Sequence, residues 1–169
     1  VSPKDPVSKN VIHSVAMVGM DEKRFFLERI INENPESKIL VFVRTKVRAE
    51  RVMRAMARVE IDSITIHSDK NQTERDAAMT SFRSGKSKIL IATDVSARGI
   101  DIPDVDQVIN YDMPDIAENY VHRVGRTGRG RNKGLAVSFC AEEEQKMLAD
   151  IEKYVGKKIN ELEVDSADR

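Results

Sequence analysis

The chain has 169 residues, 40% of them hydrophobic and 33% charged, the balance of one soluble globular domain with a real core. Lys plus Arg and Asp plus Glu each number 28, so the net charge is zero. That excludes a domain that gathers nucleic acid through a global positive field, and any anion site must be local.

In chain order, residues 1–10, with Pro3 and Pro6 among polar neighbours, read as a linker remnant, and a start at Val1 rather than Met suggests a piece cut from a longer protein. VIHSVAMV (11–18) alternates in polarity and predicts a strand at a sheet edge. An amphipathic stretch at 21–34 predicts a helix. KILVFV (38–43) is apolar throughout, as a strand covered on both faces is. A helix is expected at 46–58, a strand at SITIH (63–67), a helix at 72–84 and a strand at KILIAT (88–93). QVINY (107–111), a helix at 116–124, GLAVSFC (134–140) and a helix at 142–155 complete the series. Strand–helix alternation of this kind argues for a parallel α/β sheet with right-handed crossovers. The domain proper is expected over 11–157. Residues 158–169, ending in NELEVDSADR, read as an acidic, frayed tail.

No apolar run approaches the roughly 18 residues that span a bilayer, and the single Cys140 has no internal disulfide partner. A reducing, cytoplasmic setting follows, with no membrane contact. No Cys/His cluster suggests a metal.

Small hydroxylated residues stand just past three strand ends: Thr45, Ser68 and Thr93. Ligands of open parallel sheets bind outside the carboxyl ends of the strands, and hydroxyls beside helix N-termini suit phosphate oxygens. Simple helix capping is the commoner reason for any one of them, and only the coincidence of three favours a ligand. Gln72 and Arg75 share one face of a first helical turn, where an arginine opposes the helix dipole; a phosphate would reverse that cost, as would an ion pair with Glu74 or Asp76. Asn71 before Glu74, and Asp115 before Glu118, have the spacing of reciprocal capping pairs.

HRVGRTGRGR (122–131) opens on the last turn of the 116–124 helix, which Gly125 stops, and sets Arg123, Arg126 and Arg129 at steps of three. Two other patterns fail as nucleotide fingerprints. SGKSK (84–88) has Thr80 where the phosphate loop requires its first glycine, and Gly125, Gly128 and Gly130 run in the reverse of the dinucleotide order.

Over residues 11–157 the chain resembles the C-terminal RecA-like domain of DEAD-box RNA helicases. The markers stand in family order: VFVRT (41–45), HSD followed by QTER (67–75), ATDVSARGID (92–101), VINYDMP (108–114) and HRVGRTGR (122–129). The run EEQKMLADIEKYVGKKI resembles more narrowly the bacterial RhlE-type branch. The resemblance implies a three-layer sandwich, a mostly parallel central sheet flanked by helices. It implies that Arg126 and Arg129 are arginine fingers for ATP bound in an N-terminal domain, that Asp101 and Gly99 belong to the nucleotide site, with Asp101 on the ribose, and that His122 couples the two domains. Thr45, Ser68, Gln72, Arg75 and Thr93 match positions that hold the RNA sugar–phosphate backbone without reading sequence. Arg123 and Arg131 receive no role. The family commonly has glycine where this chain has Ser68, so the RNA contact there is altered.

The phosphate loop, the acidic box and the residues that hold magnesium belong to the family's N-terminal domain and are absent from this sequence. The resemblance therefore implies half of an ATP-dependent RNA helicase, inactive alone, whose partners are RNA and the N-terminal domain of its own chain. The rival from another class is a stand-alone RNA-binding or docking module, which has no use for paired arginine fingers.

Overall fold

The structure is a computed structural model that describes residues 6–130 and 132–163. Seven strands form one sheet in the order β3-β4-β2-β5-β6-β1-β7, every neighbouring pair parallel. They are β1 (Val11–Met17), β2 (Ile39–Phe42), β3 (Ile64–Ile66), β4 (Ile89–Ala92), β5 (Gln107–Asn110), β6 (Gly134–Cys140) and β7 (Asn160–Leu162). The helices are α1 (Lys23–Glu33), α2 (Lys46–Arg58), α3 (Gln72–Ser84), α4 (Asp94–Arg98), α5 (Ala117–Val124) and α6 (Gln145–Val155). Short 3-10 turns at Met20–Glu22 and Glu142–Glu144 lead into α1 and α6.

Side chains of successive strand residues point to opposite faces, and this splits the core in two. Leu40, Phe42, Leu90, Ala92 and Val108 meet α3, α4, α5 and α6. Ile39, Val41, Ile89, Ile91 and Ile109 meet α1 and α2. The central strands β2 and β4 are buried along their whole length, as their uninterrupted apolar runs require. Each aliphatic side chain so buried contributes about 1.5–3 kcal/mol against exposure.

Four expectations need correction. The edges are β3 and β7, and β1 lies inside. β7 covers only Ser14–Ala16, and Ile12, outside that cover, stays half exposed. The tail is correspondingly shorter than 158–169: Ile159 is buried, and 160–162 are the strand that covers β1. Within the expected linker, Val7 packs in the core, and the Asn10 side-chain amide donates to the carbonyls of Gly128, Gly130 and Asn132 at 2.6, 3.2 and 3.1 Å. Asp115 caps nothing, because α5 begins one residue later behind Ile116, and Asp115 pairs with Arg44 at 3.3 Å instead. Asn71 and Glu74 do form the reciprocal capping box of α3. Pro3, Arg131 and 164–169 lie outside the described residues.

Candidate active site and nucleic-acid interface

The chain brings two groups of expected site residues together. One is built where the loop after α5 meets the segment after α4. Arg126 Nη2 donates to the carbonyl of Ala97 at 3.0 Å. Arg129 donates through Nε to Gly125 at 3.0 Å and through Nη1 to the Ile102 carbonyl at 3.1 Å. Both guanidinium groups are thus held by main-chain oxygens, and neither pairs with a carboxylate side chain among the described residues. Burial and the nearby charge of Arg129 lower the Arg126 pKa, against a raising effect of Asp101. Arg126 stays a cation nonetheless, since a guanidinium does not give up its proton in a protein.

Asp101 accepts at its own carbonyl from Arg83 Nη2 at 2.9 Å and leaves its exposed side chain to solvent. Gly99 ends α4, and a Cβ there would meet nothing within 4 Å. His122 is exposed, 3.8 Å from Glu118 one turn earlier, and shares a pocket of about 100 Å³ with Ala97, Arg98 and Arg126. Gly125 ends α5 without a left-handed turn (φ −69°), and a Cβ there would press on the Val121 carbonyl at 3.1 Å.

The loop is pinned from beneath. Gly128 has φ +73°, and a Cβ on it would lie 2.8 Å from the Asn10 carbonyl oxygen. The Asn10 amide holds the same loop from its other side. Gly128→Ala adds left-handed strain to a backbone clash, and we expect it to cost about 1–3 kcal/mol. Denaturant unfolding of the variant beside the parent chain measures it; an unchanged midpoint would show that the loop is not fixed at Gly128.

Arg123 also received no role from the sequence. Its side chain is 1% exposed and grips Asp94 with two hydrogen bonds of 2.7 and 2.8 Å. Its Nη1 also reaches the Asp112 carbonyl at 2.6 Å and Asn110 Oδ1 at 3.3 Å, with the guanidinium over the Phe42 ring. Arg123 therefore ties the helix that leads to the arginine loop to the start of α4, where Thr93 stands. Its hydrogen-bond partners lie between 11 and 29 residues away in sequence, and no local spacing announces them.

The second group follows the carboxyl edge of the sheet. Thr45 caps α2, accepting from the Arg48 amide at 3.2 Å, and its exposed hydroxyl keeps a proton to donate. Thr93 caps α4, accepting from the Ser96 amide at 3.2 Å and donating to Ser96 Oγ at 3.0 Å, so its hydroxyl is committed twice. Ser68 caps no helix and is exposed. Gln72 donates to Asp76 at 2.8 Å, and Glu74 is taken by the capping box. Among the described residues neither acid pairs with Arg75, whose buried Nε has no hydrogen-bond partner. A polar atom buried in that way is costly until something accepts from it.

Behind this edge lies a charge network that sequence reasoning missed. Lys23, 0% exposed, reaches Glu144 at 2.6 Å and Asp112 at 3.2 Å. Arg48 holds Asp112 with two bonds of 2.7 Å, and the Arg44 amide adds a third at 2.9 Å. Burial pushes the Asp112 carboxyl up, but the Arg48 bond, the Lys23 charge and the Arg44 amide together hold it below its ordinary value. Among the described residues no group of three His, Cys, Asp or Glu could hold a metal ion, and no helix is long and apolar enough to cross a membrane.

Comparison with known proteins bears on the family and the fold. The helicase conserved C-terminal domain family matches residues 22–131. The ATP-dependent rRNA helicase RRP3 of Eremothecium gossypii is 39% identical over 167 residues, 99% of this chain but 34% of that protein. The DEAD-box ATP-dependent RNA helicase 46 of Arabidopsis thaliana is 40% identical over 88% of this chain and 23% of its own. The chain thus spans about a third or less of the length of these relatives. Among solved structures, the E. coli DEAD-box protein SrmB, bound to the regulator RraA, superposes with a TM-score of 0.85 at 31% identity, covering 94% of this chain and 93% of that one. The C-terminal domain of the DEAD-box protein Dbp5 gives 0.83 at 32%, covering 97% and 94%. With the family match, the all-parallel sheet and the coverage of whole domains in agreement, this chain belongs to the DEAD-box helicases, as their C-terminal RecA-like domain.

Proposed function

We propose that the chain is the C-terminal half of an ATP-dependent RNA helicase. Arg126 and Arg129 act as arginine fingers toward ATP bound in an N-terminal RecA-like domain, with Asp101 and Gly99 on the ribose side and His122 coupling the domains. The observation that carries this reading is the hold on the two guanidinium groups. Main-chain carbonyls orient them, and among the described residues no carboxylate forms an ion pair with either. Their charge is therefore free to meet the charge that builds on a transferring phosphoryl group, with a planar fork for two of its oxygens. Magnesium would accompany the nucleotide and be held mainly by the N-terminal domain.

Along the sheet edge, Thr45, Ser68, Gln72, Arg75 and Thr93 hold the RNA backbone. Arg75 has the strongest support, because its buried Nε lacks an acceptor that a phosphate would supply. Thr45 offers a free proton. Thr93, with its hydroxyl engaged by Ser96, serves by placing the α4 turn. Such contacts ignore sequence, and closure of two domains on one strand would force the other out, giving local unwinding. Membership of the RhlE-type branch belongs to the same proposal and is supported by the run at 143–159.

The chain alone is expected to hydrolyse no ATP. Joined to its N-terminal half, it is expected to support hydrolysis that RNA stimulates. A coupled phosphate-release assay on both preparations decides. Turnover by the isolated chain, free of contaminating ATPase, contradicts the reading, as does a joined protein that stays inert with RNA present.

A further inference from the structure

α2 carries Lys46, Arg48, Arg51, Arg54 and Arg58 against a single acid, Glu50. Glu50 turns toward the β3 side, where it takes Thr65 Oγ1 and Lys70 Nζ at 3.3 Å each and lies 3.4 Å from His67 Nε2. Asp112 engages Arg48. Arg51, Arg54 and Arg58, spaced three and four residues apart, stack on one face of the helix. Arg24, in the first turn of α1, joins them from the neighbouring helix. Among the described residues none of these four arginines forms an ion pair. With Arg48 and Tyr111 they line an open groove of about 410 Å³ between α1 and α2.

In a chain of zero net charge, five arginines on one groove with no acid in its lining form a concentrated positive strip. Beside it Phe25 is 53% exposed, with the Arg24 guanidinium 4.9 Å from the centre of its ring. Unpaired arginines beside an exposed aromatic ring suit single-stranded nucleic acid, whose phosphates take the charges and whose bases stack. The groove starts at the N-terminal turn of α2, whose cap is Thr45, and Arg48 to Arg58 extend it by about 15 Å along the helix. An acidic peptide would match the charge but would leave without a use both Phe25 and the nearness of Arg48 to Thr45, the cap of the same helical turn.

We propose that this groove is a second RNA contact, an α1–α2 track for the phosphodiester backbone of single-stranded RNA that runs on from the strip at Thr45. It rests on the RNA reading given above and extends it beyond the positions assigned there. A short strand occupies the strip alone, and a longer one gains the track.

The test is fluorescence anisotropy on this chain with oligouridylates of roughly six and roughly fifteen nucleotides, lengths that bracket the site size of a small single-strand binder. The triple variant Arg51→Gln/Arg54→Gln/Arg58→Gln is expected to weaken the longer strand at least about tenfold and to reduce its salt slope by about 2, at roughly 0.7 per lost phosphate contact. The shorter strand should change less than about twofold. Phe25→Ala should weaken the longer strand alone. Unchanged affinity for the longer strand in the triple variant overturns the proposal. So does polyglutamate or inorganic polyphosphate of matched charge binding the groove as tightly as RNA, in favour of an acidic protein or a small polyanion. Arg75→Gln separates the two readings: weakening of both lengths supports the strip, and no effect on either removes the strip without touching the track.

Discussion

Arg129→Ala in the two-domain protein is expected to lower ATP turnover by about 10³-fold or more, the range over which an arginine finger acts. RNA affinity measured without nucleotide should hardly move. The asymmetry follows from what the side chain touches. Arg129 is exposed, and among the described residues its guanidinium binds only the carbonyls of Gly125 and Ile102, which water can replace. Fold and RNA strip therefore survive the substitution, while the charge meant for the phosphoryl group is gone. Arg129→Lys keeps the charge but loses the fork and should remain far below the parent rate. Equal loss of hydrolysis and RNA binding would favour a binding module over a catalytic half.

The largest effect on stability is expected at Lys23. Lys23→Met removes a fully buried ammonium that lies 2.6 Å from Glu144 and 3.2 Å from Asp112, leaving two buried carboxylates with one fewer cation. Removing one partner of a buried pair costs about 3–5 kcal/mol. Asp112 keeps Arg48, so the main injury falls on Glu144, which then has the amides of Ala141 and Met113 and the more distant Arg44. Lys23→Met combined with Glu144→Gln should recover part of the loss, and a double-mutant cycle from urea midpoints measures the coupling. Additive effects would contradict a shared network. Acid should weaken the same network in the parent chain. The folded Asp112 carboxyl titrates below its ordinary value, so its stabilising contribution is complete above that value and is lost as the pH falls through the folded one. Asp112→Asn should flatten this part of the acid dependence.

The fold was legible where local chemistry and tertiary structure agree. β2 and β4 are apolar at every position because both faces are covered. α2 and α3 start where Thr45 and Asn71 cap them and occupy 46–58 and 72–84 as expected. α4 was legible only as a helix following Thr93, without bounds, because five residues carry too little periodicity to place it. β7 was read as tail because all three of its residues are exposed, so only backbone pairing with β1 makes it a strand. The Asp115–Glu118 spacing misled because Arg44, far away in sequence, competes for Asp115.

The candidate site divides in the same way. Arg126, Arg129 and Arg75 stand out by spacing and by resemblance to a family. The carbonyls that orient the first two, and the missing acceptor of the third, depend on segments that meet only in the fold. Lys23, Arg123 and Asn10 were invisible for that reason. Charged or polar residues in polar surroundings read as surface, yet each is fastened to groups far along the chain.

In the proposed mechanism Arg126 and Arg129 meet a phosphoryl group supplied by a second domain. The most direct measurement is the structure of the two-domain protein closed on single-stranded RNA with ADP and beryllium fluoride in place of ATP. Both guanidinium groups should lie within about 3 Å of the fluoride atoms that stand for the γ-phosphate oxygens. If in that closed state they face solvent, or turn to carboxylates of their own domain, the account is contradicted.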